Sequence, residues 1–95
     1  MKQYTTPEQT IKLIELGYEK PKSEVKAEQA GDCAWYNPAY SIGELIEVLP
    51  ITRIEFDLKV WVDIPIAGGA SAEELIDALF EACVKLKEEQ RDARR

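Results

Sequence analysis

Any chemistry in this chain must come from carboxylates, amines, phenols or thiols, because its 95 residues include no histidine. That absence removes the commonest general base and the commonest transition-metal ligand, and with them Ser-His and Cys-His nucleophile pairs. Zinc sites of the usual kinds need more Cys and His than are present. The two cysteines, Cys33 and Cys83, stand far apart and outside any C-x-x-C arrangement. They read as buried thiols packed like small hydrophobes in a reducing compartment, with a disulfide or a redox thiol as the alternative. Asp and Glu total 18, yet their spacing locates no acid–base pair. "IAGGAS" before a helical stretch could offer exposed amides to a phosphate. It lacks both G-x-G-x-x-G and Gly-Lys-Ser/Thr, and Glu73 and Glu74 would repel the anion. No catalytic, cofactor-binding or metal-ligating residue is assigned, no cofactor is expected, and the chain is not read as an enzyme.

The residues best suited to recognition are large and apolar. Trp61 falls among Glu55, Asp57, Lys59 and Asp63 on the polar side of an alternating segment. There it is either covered by a loop or helix edge, or exposed as an anchor of the kind enriched at interfaces. Trp35 and Tyr36 form a second aromatic pair, and Phe80 and Val84 lie on the last helix. These five are the candidate interface residues.

The elements that must position them follow from caps and periodicity. "TTPEQTIKLIELG" signals a helix: Thr6 caps, Pro7 fits the first turn, Gln9 completes a capping box and Gly17 stops it. Its apolar stripe is Ile11, Ile14 and Tyr18, widened by Leu13 and Leu16. A loop follows, with a short edge strand around Val25. Cys33 to Tyr36 reads as a short strand, with a turn at Asn37-Pro38. "SIGELIEVL" from Ser41 and "SAEELIDAL" from Ser71 share one grammar, a capping box followed by a minimal buried stripe. Two copies with unlike flanks are not a repeat array. Ser41 is thus expected to start a helix facing inward with Ile42, Leu45, Ile46 and Leu49, and Ser71 a helix running to about Glu89.

Between them "TRIEFDLKVWVDI" alternates, with Ile54, Phe56, Leu58, Val60, Val62 and Ile64 on one face. One long strand or a hairpin folding near Asp57-Leu58 would both fit. The unbroken alternation, without Gly or Asn, favours the long strand. "PIAGGA" reads as a loop. On the last helix Ala72, Leu75, Ile76, Ala78, Leu79, Phe80, Ala82, Cys83, Val84 and Leu86 make an arc wider than the ~100° of a surface helix. That width predicts contact on two sides, with the sheet and with either the first helix or a second subunit.

The expected fold is α+β, a single small domain over residues 1–95 with the ends, 1–5 and 90–95, frayed. Its order is α-β-α-β-α, with three short-to-medium helices on one face of a small antiparallel sheet.

Charge narrows the partners. The net charge is −6; Lys85, Lys87, Arg91, Arg94 and Arg95 against Glu88, Glu89 and Asp92 put +2 on residues 85–95 and so −8 on the other 84. Such a body repels nucleic acid and anionic membrane. No apolar run approaches the roughly 18 residues of a membrane span. "MKQYTTPEQT" has no apolar signal core, so a cytoplasmic location is expected.

Two resemblances bear on function. "AYSIGELIEVL" is similar to the opening of MerR-type winged-helix regulators, where this helix is the first of a helix-turn-helix. Those regulators continue into an Arg-rich recognition helix, whereas here Pro50 stops the helix and Arg53 is the only arginine before position 91. Over most of its length, through "MKQYTTPEQTIKLIELGYEKPKS", "YSIGELIEVLP" and "SAEELIDALFEACVKLKEE", the chain resembles small uncharacterised phage, prophage and mobile-element proteins of gut Bacteroidales. That resemblance implies a mobile-element origin, no assigned activity and no site residues. The expectation is a small acidic accessory protein that binds another protein, from host or phage, or itself. The alternatives are a helix-turn-helix-like nucleic-acid regulator and an acidic mimic of DNA that inhibits a host protein.

Overall fold

The computed structural model describes residues 3–26, 36–65 and 68–93. Cys33 and Trp35 lie outside them. The elements are α1 (Pro7–Glu15), β1 (Ser23–Lys26), β2 (Tyr36–Ala39), α2 (Ile42–Val48), β3 (Arg53–Phe56), β4 (Val60–Asp63), β5 (Ala70–Ala72) and α3 (Leu75–Ala93). The class is α+β, as expected, with three helices and antiparallel strands. Those strands form two sheets: a pair, β1–β2, and a triplet in the order β3–β4–β5.

α1 starts and stops as its sequence dictates. The Thr6 hydroxyl accepts from the Gln9 amide at 3.2 Å, and the Gln9 side chain accepts from the Thr6 amide at 2.9 Å. At the other end Gly17 has φ of 103°. Its amide donates to the Ile14 carbonyl while that of Tyr18 donates to Leu13, a Schellman closure that needs a left-handed residue. The buried face centres on Thr10 and Leu13, and Ile11 is exposed.

Gln3 to Thr5, expected to fray, are tied down. Tyr4 bridges Ser41, the Thr5 amide donates to the Tyr40 carbonyl, and the buried Thr5 hydroxyl accepts from the Tyr40 amide at 3.0 Å. The Thr10 hydroxyl gives its proton to the Thr6 carbonyl. The 2.7 Å contact between the two hydroxyls is therefore donated by Thr5.

Asn37-Pro38, read as a turn, belongs to β2, opposite Val25 and Glu24. A proline is tolerated there because a two-stranded ribbon consists of edges.

The segment 53–63 is a hairpin rather than the favoured long strand. Phe56 pairs with Val60, Glu55 with Trp61, Ile54 with Val62 and Arg53 with Asp63, and 57–59 make the turn. A tight turn can reverse a strand without breaking its inside–outside alternation, so periodicity alone does not reveal it. Val60, Val62 and Ile64 keep the inward face and are buried.

β5 occupies what reads as loop and cap. Ser71 pairs with Trp61 in the sheet, and α3 begins only at Leu75, with the Glu74 carbonyl accepting from the Ala78 amide. "SIGE" and "SAEE" therefore part company. Ser41 and Glu44 form both bonds of a capping box, whereas Ser71 is a strand residue.

α3 is the centre of the core. Ile76, Ala78, Leu79, Ala82 and Cys83 are inaccessible to solvent, and the helix packs on β4 and β5 from one side and on α1 and α2 from the other. Its wide apolar arc is filled within one chain, so α3 needs no second subunit. Phe80 and Val84 are half-buried against this core.

Candidate interaction surface

Among the described residues, a cleft beside α1 and the hairpin β3–β4 could meet another molecule. The cleft, of about 420 Å³, lies between the end of α1, the chain entering β1, α2 and α3. Tyr18 and Tyr40 form part of its wall. The Tyr18 hydroxyl donates to the Cys83 carbonyl at 2.8 Å, and the Tyr40 hydroxyl donates to the Glu19 carbonyl. Burial, with smaller contributions from Cys83 and Tyr40, pushes the Tyr18 phenol well above its usual range. Burial also raises Tyr40, reinforced by Glu44 and Cys83.

Glu44 is already committed. Partial burial pushes its carboxyl up, but hydrogen bonds from Ser23, the Lys22 and Ser41 amides and the Ser41 hydroxyl outweigh it, and the net direction is down. The Lys87 ammonium sits 4.7 Å from the centre of the Tyr18 ring, a cation–π contact. Lys20, Lys22 and Lys87 are balanced by Glu19, Glu44 and Glu47 around the same opening, so the cleft favours neither sign of ligand. Its tyrosine hydroxyls are spent on holding the fold.

Cys83 is a core residue. Burial pushes its thiol up to about 12, against smaller opposing effects of Tyr18 and Lys87. At neutral pH it is protonated and screened from reagents, which is the state of a packing thiol. Among the described residues no group of three Cys, Asp or Glu side chains is placed to hold a metal ion.

The hairpin differs in kind. Leu58 at the turn is 96% exposed, Phe56 69% and Trp61 47%. Phe56 follows the inward side of the strand, yet among the described residues no helix packs on β3. α3 covers β4 and β5 and stops short of the edge, leaving Ile54 half-buried and Phe56 bare. Trp61 projects from the other face, paired across the sheet with Glu55 and Ser71. Arg53 and Glu55 share that outer face and are ion-paired.

Trp61 is thus the sequence-assigned interface residue that lands on this surface. Tyr36 sits at the start of β2, opposite Lys26, and Phe80 and Val84 belong to the core margin. Phe56 and Leu58 escape a sequence reading because period-two alternation assigns them to a buried face. The signal that could find them is the helix count. Among the described residues only α3 of the three helices packs on the triplet, and it leaves β3 uncovered.

α2 is followed directly by β3, so no second helix stands in helix-turn-helix relation to it. Among the described residues no helix is long and apolar enough to cross a membrane. No protein-family model matches the chain, and neither a curated protein nor a solved structure is similar to it.

Proposed function

We propose that this chain is a non-enzymatic protein-binding module whose contact surface is the β3–β4 hairpin. The observation that carries this is the exposure of three large apolar side chains on one hairpin, Phe56 on one face, Trp61 on the other and Leu58 at the turn, with no helix packed on its outer strand among the described residues. Large apolar side chains exposed on both faces and the turn of one hairpin cost solubility and add nothing to the core. Such exposure marks interaction sites, and Trp in particular is enriched at their energetic centres. The resemblance to mobile-element proteins of gut Bacteroidales carries no assigned activity; the partner proposed is a host or phage protein met in the cytoplasm. The net charge of −6 speaks against nucleic acid as the ligand.

The test is a pull-down from lysate of a Bacteroidales host, run with and without nuclease, comparing the native chain with a Leu58→Ser/Trp61→Ser double variant. Both changes fall on exposed side chains, so the variant should fold. A protein held in stoichiometric amount by the native chain and released by the variant is the expected result. Retention of nucleic acid alone, or equal retention of protein by both chains, would overturn the proposal.

A further inference from the structure

The register of β3 supports a more specific assignment, which rests on the hairpin being a protein-contact surface. β3 is an edge strand, and an edge offers unpaired backbone groups to another chain. Proteins commonly blunt such edges with proline or with charges that repel a second copy. Arg53–Phe56 contains no proline, and its two charges are opposite in sign, two residues apart on one face.

This arrangement is self-complementary. Two antiparallel copies of β3 related by a twofold axis normal to the sheet place each residue opposite the one equally distant from the axis. With the axis at Ile54, Arg53 of each copy faces Glu55 of the other, so two ion pairs form across the junction. With the axis at Arg53, arginine faces arginine; at Glu55, glutamate faces glutamate; at Phe56, Glu55 faces Asp57. Of the registers centred on a β3 residue, only Ile54 is free of a like-charge pair. It also supplies what Phe56 lacks. Ile54 meets Ile54 of the second copy, and Phe56 lies opposite its Thr52 and diagonal to its Ile54, within reach of an aromatic ring.

We propose that two copies of this chain associate through β3 in antiparallel register centred on Ile54, giving a continuous six-stranded sheet. The occupant of the uncovered edge is a second copy because the edge's own charges match themselves. The strand is short, so the interface lies at the small end for specific contacts, and a Kd of about 10 µM to 1 mM is expected.

Sedimentation equilibrium across that concentration range tests this with three chains: native, Arg53→Glu and Glu55→Arg. In the proposed register each variant opposes like charges twice, and each alone should associate about tenfold or more weakly than the native chain. Mixed in equal amounts, the two variants restore both ion pairs, because at positions 53 and 55 one chain is then wholly acidic and the other wholly basic. A heterodimer of at least native affinity should form. Because restoration requires both variants to be folded, a misfolded variant cannot imitate it; circular dichroism of each confirms the fold. In native protein mixed from labelled and unlabelled copies, an intermolecular nuclear Overhauser contact between the two Ile54 residues should appear. A native chain that stays monomeric to about 1 mM, or variants whose mixture associates no better than either alone, would overturn the proposal. If the chain is monomeric while its hairpin still retains a lysate protein, self-pairing fails and the binding-module proposal stands.

Discussion

Two glycines with left-handed backbones show how differently the same residue type can be required. Gly17 has φ of 103° and an added Cβ would meet nothing within 4 Å, whereas Gly69 has φ of 135° and a Cβ there would lie 2.9 Å from the Val62 carbonyl oxygen and 2.8 Å from an Asp63 carboxylate oxygen. Gly17→Ala should therefore cost about 1 kcal/mol, the conformational penalty alone. Gly69→Ala adds a backbone collision and should cost about 2–3 kcal/mol or more. Urea titration of the two variants checks the order; equal losses would mean that the β4–β5 connection yields. Tyr18 and Cys83 make a second residue-scale prediction. Both groups have folded pKa values raised, chiefly by burial, above ordinary values of 10.0 and 9.0. Each favours its neutral form in the fold, so its contribution is fully present below the unfolded pKa and is lost as pH rises through the folded one. Stability should fall from about pH 9 upward. Tyr18→Phe, which loses the bond to the Cys83 carbonyl, should cost about 1 kcal/mol at neutral pH and flatten the alkaline decline. A decline as steep as that of the native chain would place the titration elsewhere.

At the scale of elements, caps are the most legible signals in the sequence and strand connections the least. A capping box consists of side chains bonding backbone within four residues, so "TPEQ" and "SIGE" carry their own outcome. "SAEE" has the same letters but lies where Ala70–Ala72 can complete a sheet against Val60–Val62. There tertiary pairing overrides a local preference that amounts to about 1 kcal/mol. The same competition hides the 57–59 turn, because alternation continues through it, and so hides the exposure of Phe56 and Leu58. Trp61 is legible on the wet face because that assignment depends on period two alone, which the hairpin preserves. Substitution separates the twin motifs directly. Ser41→Ala should destabilise by about 1 kcal/mol, since it removes a real N-cap. Ser71→Ala, at a half-buried strand position, should stay within about 0.5 kcal/mol of the native chain. Matching losses in thermal melts would mean that Ser71 caps α3 after all.

Over the whole molecule the two sheets are held very unequally. Strands β4 and β5 are covered by α3, which gives the core more buried side chains than any other element, while among the described elements the ribbon β1–β2 packs on α1 alone. Its remaining ties are polar: the Thr5 bonds to Tyr40, the Glu44 carboxylate receiving the Lys22 amide at 2.9 Å, and the Tyr40 hydroxyl on Glu19. Hydrogen bonds contribute modestly in net terms, whereas buried apolar surface sets the free energy of opening. Amide exchange should therefore follow a fixed order, with β1 and β2 opening at a lower free energy than β4, β5 and the middle of α3. Leu13 is the joint between the two parts, fully buried on α1 and included in the α3 core. Leu13→Ala should cost about 2–5 kcal/mol globally and lower ribbon protection by more than that of α3, since α1 is the ribbon's only packing partner among the described elements. If ribbon and α3 amides instead lose protection in parallel, the molecule opens as one unit, and the polar ties couple the ribbon to the core as strongly as packing would.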